Sequence, residues 1–312
     1  MKKPIIIIIY ILLFIAVFTA SALISINLTG SAPQKLLKVD YKGGVYPDRN
    51  YENANGHQYD LYIPDNIDKS EPQNLILFIH GGSFNSGSKK DGAEWCKFYA
   101  SHGYITASLD YTLQNQGIPA NLNLMNEEVE HCVAAIDEQC KTLGYTIESM
   151  ATCGVSAGGT LAMNYAFKCA DTSAIPVKFV FQLAAPADFE PSDWGVLMRV
   201  NKWETQKEFA EQMTGQSFSD EQMINGGYSE YISAISPARL VNKNTVPVLC
   251  GYGLRDHLVP SSSRELLVKA LESNNVCFDY LPFPNSNHGM YADLDVLREF
   301  IDLSLEYCGK FF

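Results

Sequence analysis

Two hydrophobic periods take turns along this chain, and their exchange sets out its elements. Leu75 to Ile79 is an unbroken apolar run, as are the cores of "VKFVFQLAAP" and "VPVLCGYG". Runs of that length predict strands buried on both faces. "YITASLDY" (104–111) and "VCFDYLPF" read as further strands, and "HQYDLYIP" alternates like an edge strand that stops at Pro64. Between the strands the period changes to that of a helix. Val129, Cys132, Val133, Ile136, Cys140 and Leu143 recur at helical spacing, which predicts an amphipathic helix over 126–143 with Gly144 as its C-terminal cap. Helices are also predicted over 93–101, from the "GVSAGG" turn to about Lys168, over 262–271 and over 294–308. Strand–helix alternation with fully apolar strands predicts an α/β fold: a mainly parallel sheet with helices on both faces.

The rhythm breaks over 190–235. That stretch is rich in Trp194, Met198, Trp203, Phe209, Met213 and Phe218 and holds two capping-box patterns, Thr205-x-x-Glu208 and Ser219-x-x-Gln222. It reads as a helical insertion. At the other end, Lys2 and Lys3 precede an apolar run from Ile5 to Phe18, the pattern of an export signal. Ala20-Ser21-Ala22 suits cleavage of a signal peptide, whereas weak apolar continuation to Leu28 suits a retained signal-anchor. Either way the charge placement puts the rest of the chain outside the cytoplasm. Residues 1–28 are thus a signal or membrane anchor, 29–54 a polar tether with turn signals, and 55–312 one domain with its insertion at about 190–235.

Charge narrows the partners. Thirty-five acidic against 23 basic side chains give a formal charge of −12 in 312 residues, which opposes nucleic-acid binding. The eight cysteines have no C-x-x-C spacing, and most occupy apolar positions, so buried free thiols are expected rather than a disulfide framework. The histidines are scattered without ligand spacing, so no metal site is expected, and no dinucleotide fingerprint is present.

The candidate chemistry gathers at strand ends. "ATCGVSAGGT" fits the G-x-S-x-G elbow, with Ser156 on a tight strand-to-helix turn. Gly154 and Gly158 are needed there because side chains at those positions would collide across the turn. A serine hydroxyl is a poor nucleophile by itself; it needs a base, a group that orients the base, and donors for the oxyanion. "LRDHLVP" supplies Asp256 after one strand, and "SNHGM" supplies His288 after the next. Asp188 in "AAPADF" is a rival acid, His257 reads as a loop residue, and Asp110 as a structural hydrogen-bonding group. Upstream, "HGGSF" lets a backbone approach a substrate oxygen closely, because Gly81 and Gly82 carry no side chains. Taken alone, the serine turn is equally a phosphate turn, and "HGG" equally a plain strand-to-loop connection.

"HGGSF" and "GVSAGG", about 70 residues apart and followed by the Asp and His motifs in order, resemble the α/β-hydrolase superfamily. They are similar more narrowly to its HGGG-type branch, the hormone-sensitive-lipase-like and related bacterial carboxylesterases. The resemblance covers about residues 55–308. It implies a Ser156–His288–Asp256 triad and backbone oxyanion donors at Gly82, Ser83 and Ala157. Ser83 stands where many members have a third glycine, and its side chain is expected to narrow the pocket. The resemblance also implies that the insertion is a cap over the nucleophile. Phe84 and Trp194 are pocket candidates; Trp194, Met198 and Phe209 could together line an acyl pocket and fit equally well in the cap's own core. The expected activity is hydrolysis of a small or medium carboxylic ester through an acyl-enzyme, without cofactor. A peptidase or amidase with the same triad, and a non-catalytic binding module of this fold, are the alternatives.

Overall fold

The computed structural model describes residues 36–51, 57–65, 67–114 and 120–312. The expected signal or anchor at 1–28 lies outside the described residues, as do tether residues 29–35 and 52–54. The chain divides into two units, Met1–Leu37 and Lys38–Phe312; only the last two residues of the first are described. No helix among the described residues is long and apolar enough to cross a membrane.

The second unit is built on one eight-stranded sheet in the order β1-β2-β4-β3-β5-β6-β7-β8. The strands are β1 (Gly44–Asn50), β2 (Gln58–Ile63), β3 (Gln73–Ile79), β4 (Ile105–Leu109), β5 (Ile147–Val155), β6 (Val177–Leu183), β7 (Val248–Gly253) and β8 (Phe278–Phe283). β2 pairs antiparallel with β1 and β4, and every other pair is parallel. The apolar runs occupy the centre, as their two-sided burial requires: Leu75, Ile76, Leu77, Phe78 and Ile79 are all buried. Each such side chain contributes roughly 1.5–3 kcal/mol by leaving water.

Among the described residues ten α-helices follow in chain order. They are α1 (Ala93–Ser101), α2 (Leu122–Thr142), α3 (Ala157–Cys169), α4 (Gly195–Asn201), α5 (Gln206–Thr214), α6 (Asp220–Asn225), α7 (Ser229–Ile235), α8 (Pro237–Leu240), α9 (Ser261–Ser273) and α10 (Leu294–Phe311). α1 and α10 share one face of the sheet, joined by Tyr99 Oη and Ser304 Oγ at 2.6 Å. α2, α3 and α9 belong to the other face, α8 packing between α3 and α9. α2 ends as its sequence demands, with Gly144 at φ +86° and the bonds Tyr145 N–H to Cys140 O and Gly144 N–H to Lys141 O. It begins a turn earlier than the apolar period predicts, because the Asn121 side chain accepts from the N–H groups of Asn123 and Leu124.

Two expectations change. "HQYDLYIP" is not the edge, since residues 44–50, assigned by sequence to the tether, form β1 beyond it. β1 escapes sequence reading because it is mostly exposed and contains Pro47 and a bulge between Tyr46 and Arg49. These are features of an edge strand protected against further pairing. Its anchor is a buried cation. Lys89, 4% exposed, meets Asp48 of β1 at 2.8 Å, Asp60 of β2 at 3.6 Å and Asp110 at 3.4 Å. The Lys89 N–H also donates to Asp110 at 2.7 Å, so that Asp110 joins the edge strands to the loop before α1.

All eight cysteines are free, six of them buried, with Cys169 half-buried and Cys277 exposed. Over 190–235 the insertion folds as α4 to α7 behind a short 3-10 turn. Ser219 and Gln222 make the reciprocal capping box. Thr205 accepts from Glu208 N–H, but the Glu208 carboxylate returns to Glu204 N–H instead of Thr205 N–H.

Candidate active site

β3 and β5 lie side by side, and their following helices, α1 and α3, go to opposite faces. A crevice opens at such a switch point at the strands' carboxyl ends. Both glycine-rich motifs emerge there. Ser156 follows β5 and caps α3 with φ +55°, ψ −127°, a conformation that an L-residue holds only under strain of about 1–3 kcal/mol. Its N–H donates to Leu183 O at 2.8 Å, and its carbonyl accepts from Gly159 and Thr160 N–H. The flanking glycines are required sterically. A Cβ on Gly158 would stand 2.0 Å from Ile79 O, and one on Gly154 would stand 2.5 Å from the Gly158 carbonyl carbon.

The loop after β3 is equally constrained. Gly82 has φ +114°, and the next two residues, Ser83 and Phe84, hold φ +53° and +64°. The Gly82 carbonyl accepts from Asn85 N–H, Ser86 N–H and Ser86 Oγ at 3.0, 3.0 and 2.9 Å. Phe84 O accepts from Gln114 N–H at 2.9 Å. His80, 1% exposed, stacks on Tyr111 at 4.3 Å and bonds Gly81 O through Nδ1 at 2.7 Å. Burial holds its pKa below the usual imidazole value, so its ring is a neutral support beneath the loop.

Asp256 and His288 come from neighbouring strands, β7 and β8. Leu254 N–H donates to Phe283 O and Arg255 N–H to Ser286 O, stitching the two loops together. Asp293 fastens the histidine loop by accepting from Asn285 N–H and Nδ2, both at 2.9 Å. The result is a chain of contacts: Ser156 Oγ to His288 Nε2 at 2.9 Å, and His288 Nδ1 to Asp256 Oδ2 at 2.7 Å. Asp256 Oδ1 accepts from Leu258 and Val259 N–H at 2.8 and 3.1 Å. Burial works against the Asp256 carboxylate, but the His288 hydrogen bond, its charge and those two N–H groups outweigh burial and hold the pKa below the ordinary value. An ionised carboxylate only accepts, so His288 carries its proton on Nδ1 and turns a lone pair on Nε2 toward the serine hydroxyl. Such a relay can take the Ser156 proton onto the imidazole.

Beside these groups lies a cavity of about 200 Å³, lined by Ser83, Phe84, Ser156, Ala157, Trp194 and His288 among others. Ala157 is the first residue of α3, so its N–H has no acceptor within the helix. Among the described residues no acceptor is paired with the N–H of Gly82 or Ser83. The rivals fall elsewhere. Asp188 is held by Arg239, Oδ1 to Nε at 2.5 Å and Oδ2 to Nη2 at 3.2 Å, and His257 is exposed. Phe209 is fully buried between Trp194 and Trp203, at 6.1 and 5.9 Å, and belongs to the cap's own core. Trp194 serves both places: one edge lines the cavity, and its Nε1–H donates to Asp188 O at 3.1 Å. Sequence reasoning missed Pro186, Val196, Leu197, Leu258 and Val259 on the cavity wall. The available signal was adjacency, since Leu258 and Val259 follow Asp256, and Val196 and Leu197 follow Trp194.

Fold, site and comparisons define the class: an esterase of α/β-hydrolase fold, a serine hydrolase. The chain belongs to the BD-FAE family, whose model matches residues 59–271, more than half of its length. Similar solved structures include a thermophilic esterase from Thermogutta terrifontis with butyrate bound (17% identity, 86% of this chain and 94% of that one, TM-score 0.66). Others are esterase B from Lactobacillus rhamnosis (17%, 92% and 97%, 0.63) and a truncated carbohydrate esterase from gut microbiota (14%, 86% and 96%, 0.64). At these identities the likeness is one of fold. Among curated proteins the chain is similar to non-reducing polyketide synthases of Preussia isomera (28% identical over 144 residues) and Stereocaulon alpinum (27% over 139). These matches take in 43% of this chain and span 6% of each synthase.

Proposed function

We propose that this protein hydrolyses small, neutral carboxylic esters through a Ser156–His288–Asp256 triad and an acyl-enzyme. The observation that carries the reading is the unbroken relay, 2.9 Å from Ser156 Oγ to His288 Nε2 and 2.7 Å from Nδ1 to Asp256. Ser156 Oγ attacks the ester carbonyl while His288 takes its proton, then returns it to the departing alcohol. Water activated by His288 releases the acid. The N–H groups of Gly82, Ser83 and Ala157 receive the oxyanion, in the manner of HGGG-type carboxylesterases with serine in the third position. The cavity supports this substrate class. Its volume of about 200 Å³ is below that of sites for drug-sized ligands, and no lining side chain carries a fixed charge. It suits a short acyl group better than a peptide. The carbohydrate esterase and the butyrate-bound esterase among the structural neighbours are compatible with a short acyl group on a larger alcohol.

The test is hydrolysis of nitrophenyl esters from acetate to laurate by residues 31–312 and by the Ser156→Ala variant. The expected result is a preference for the short esters and a loss of about 10⁶ in kcat on substitution. Equal rates for the two proteins would remove Ser156 from the mechanism. We further propose that the N-terminal segment, Lys2-Lys3 followed by the apolar run to Phe18, places the enzyme outside the cytoplasmic membrane. Protease accessibility of the domain in intact cells tests that placement.

A further inference from the structure

The loop after β3 is not held by its own bonds alone. Asn85 Nδ2 donates to Asn201 Oδ1 at 2.9 Å, across a separation of 116 residues, joining the loop to the last residue of cap helix α4. The orientation of the Asn201 amide is fixed. Its Nδ2 donates to Leu197 O at 3.0 Å, and a carbonyl can only accept, so Oδ1 is left for Asn85. Leu197 itself lines the cavity.

The other end of Asn85 bears on Ser83. Asn85 N–H is one of the three donors on the Gly82 carbonyl. That carbonyl and the Ser83 N–H belong to one planar peptide and point in opposite directions. Whatever holds the carbonyl therefore aims the N–H. The peptide also needs holding, because Ser83 and Phe84 are consecutive non-glycine residues at positive φ. A strained pair persists only where its surroundings over-determine it.

We propose that Asn201, acting through Asn85, is a positioning residue for the oxyanion peptide. The cap helix that forms one wall of the acyl cavity thereby also fixes the direction of the Ser83 N–H. An acyl group seated against Leu197 stabilises α4, and the Asn201–Asn85 bond passes that order to the donor that meets the transition state. This rests on the reading of Ser156 as nucleophile and Ser83 as oxyanion donor.

The test is a double-mutant cycle with Asn85→Ala, Asn201→Ala and both together, on nitrophenyl butyrate. Active sites are counted by fluorophosphonate labelling, and affinity is measured for an alkyl trifluoromethyl ketone, which forms a tetrahedral oxyanion adduct. Complete loss of an oxyanion donor costs about 10²–10³ in kcat, and a loosened one is expected to cost about tenfold. Each single variant should lose that factor in kcat and in ketone affinity while KM changes less than about twofold. The double variant should lose no more than either single one. Unchanged kcat, multiplying losses, or an effect on KM alone overturns the proposal. Retained activity in Ser156→Ala overturns the underlying reading instead, so the two failures are distinguishable.

Discussion

Adding a single methyl group at Gly154 tests whether the serine turn is as tight as its geometry requires. In Gly154→Ala the new Cβ would stand 2.5 Å from Gly158 C, 2.6 Å from Gly158 O and 2.7 Å from Gly159 N. All three atoms are backbone of the first turn of α3, so no flexible side chain can swing away. Ordinary contact begins at 3.4 Å, which leaves about 0.9 Å to be found by moving the helix start against β5. Overpacking of that kind costs about 1–3 kcal/mol. In a domain of this size each 1 kcal/mol lowers Tm by roughly 2–4 °C. The kinetic effect is larger, because Ser156 and the Ala157 N–H lie on the displaced segment. A misplacement near 1 Å costs about 10²-fold in rate. The same chemical change elsewhere has the opposite sign. Gly309 lies on the exposed side of α10 with nothing within 4 Å of an added Cβ, so Gly309→Ala should stabilise by about 0.5–1 kcal/mol with activity unchanged. The assay is Tm together with kcat/KM on nitrophenyl acetate for both variants. Gly154→Ala with activity within threefold of the parent would refute the steric account of the turn.

Three further outcomes are expected. In Asp256→Asn, the amide oxygen should stay with Leu258 and Val259 N–H, and the NH₂ should face His288 Nδ1. That drives the imidazole proton to Nε2, against Ser156, and kcat should fall about 10⁴-fold. Because the folded Asp256 pKa is depressed, its stabilisation is present above the ordinary carboxylate value near 3.9 and is lost as pH falls through the lower folded value. Urea melts should therefore show a flatter acid limb for Asp256→Asn below about pH 5, and an unchanged limb would contradict the assignment. Burial pushes the thiols of Cys96, Cys140, Cys250 and Cys308 up to about 12, and Cys132 and Cys153 also rise. Alkylation of the native protein should therefore mark Cys277 first and Cys169 slowly, and denaturation without reductant should release the other six. Arg239→Leu leaves Asp188, 6% exposed, without its guanidinium and should cost about 3–5 kcal/mol. Its kcat per labelled Ser156 should fall far less than that of Asp256→Asn, since Asp188 is engaged away from His288.

What the chain revealed before folding was what hydrophobic period and turn chemistry encode locally. β3, β6 and β7 were legible because burial on both faces writes a continuous apolar run. α2 was legible at its end, where Gly144 permits a left-handed residue, and less so at its start, where an asparagine cap extends it beyond the apolar period. β1 was illegible because an exposed, bulged edge strand has no buried face to pattern; its place depends on Lys89, Asp48 and Asp60, whose meeting no spacing announces. Ser156, Asp256 and His288 could be proposed from order and context because each sits at a strand end that the alternation had already located.

The cavity wall belongs to a different category. Leu197 and Leu258 lie 61 residues apart in number and on separate elements, so their shared surface arises only when the cap and the loop after β7 close over the same crevice. The Asn85–Asn201 contact is of the same kind. Neither asparagine stands in a motif, and each alone reads as a loop or helix-end residue. The strained turn at Ser156 and the close backbone approach beside it are thus spelled by local sequence, since strain and backbone approach are local demands. The rest of the cavity wall is shared between the insertion, through Trp194, Val196 and Leu197, and the loops outside it, through Phe84, Pro186, Leu258 and Val259, and the insertion is tied to the loop after β3 by a long-range bond. Substitutions of Val196 and Leu197 should therefore change selectivity among esters before they abolish turnover, and substitutions of Ser156, Asp256 and His288 should do the reverse.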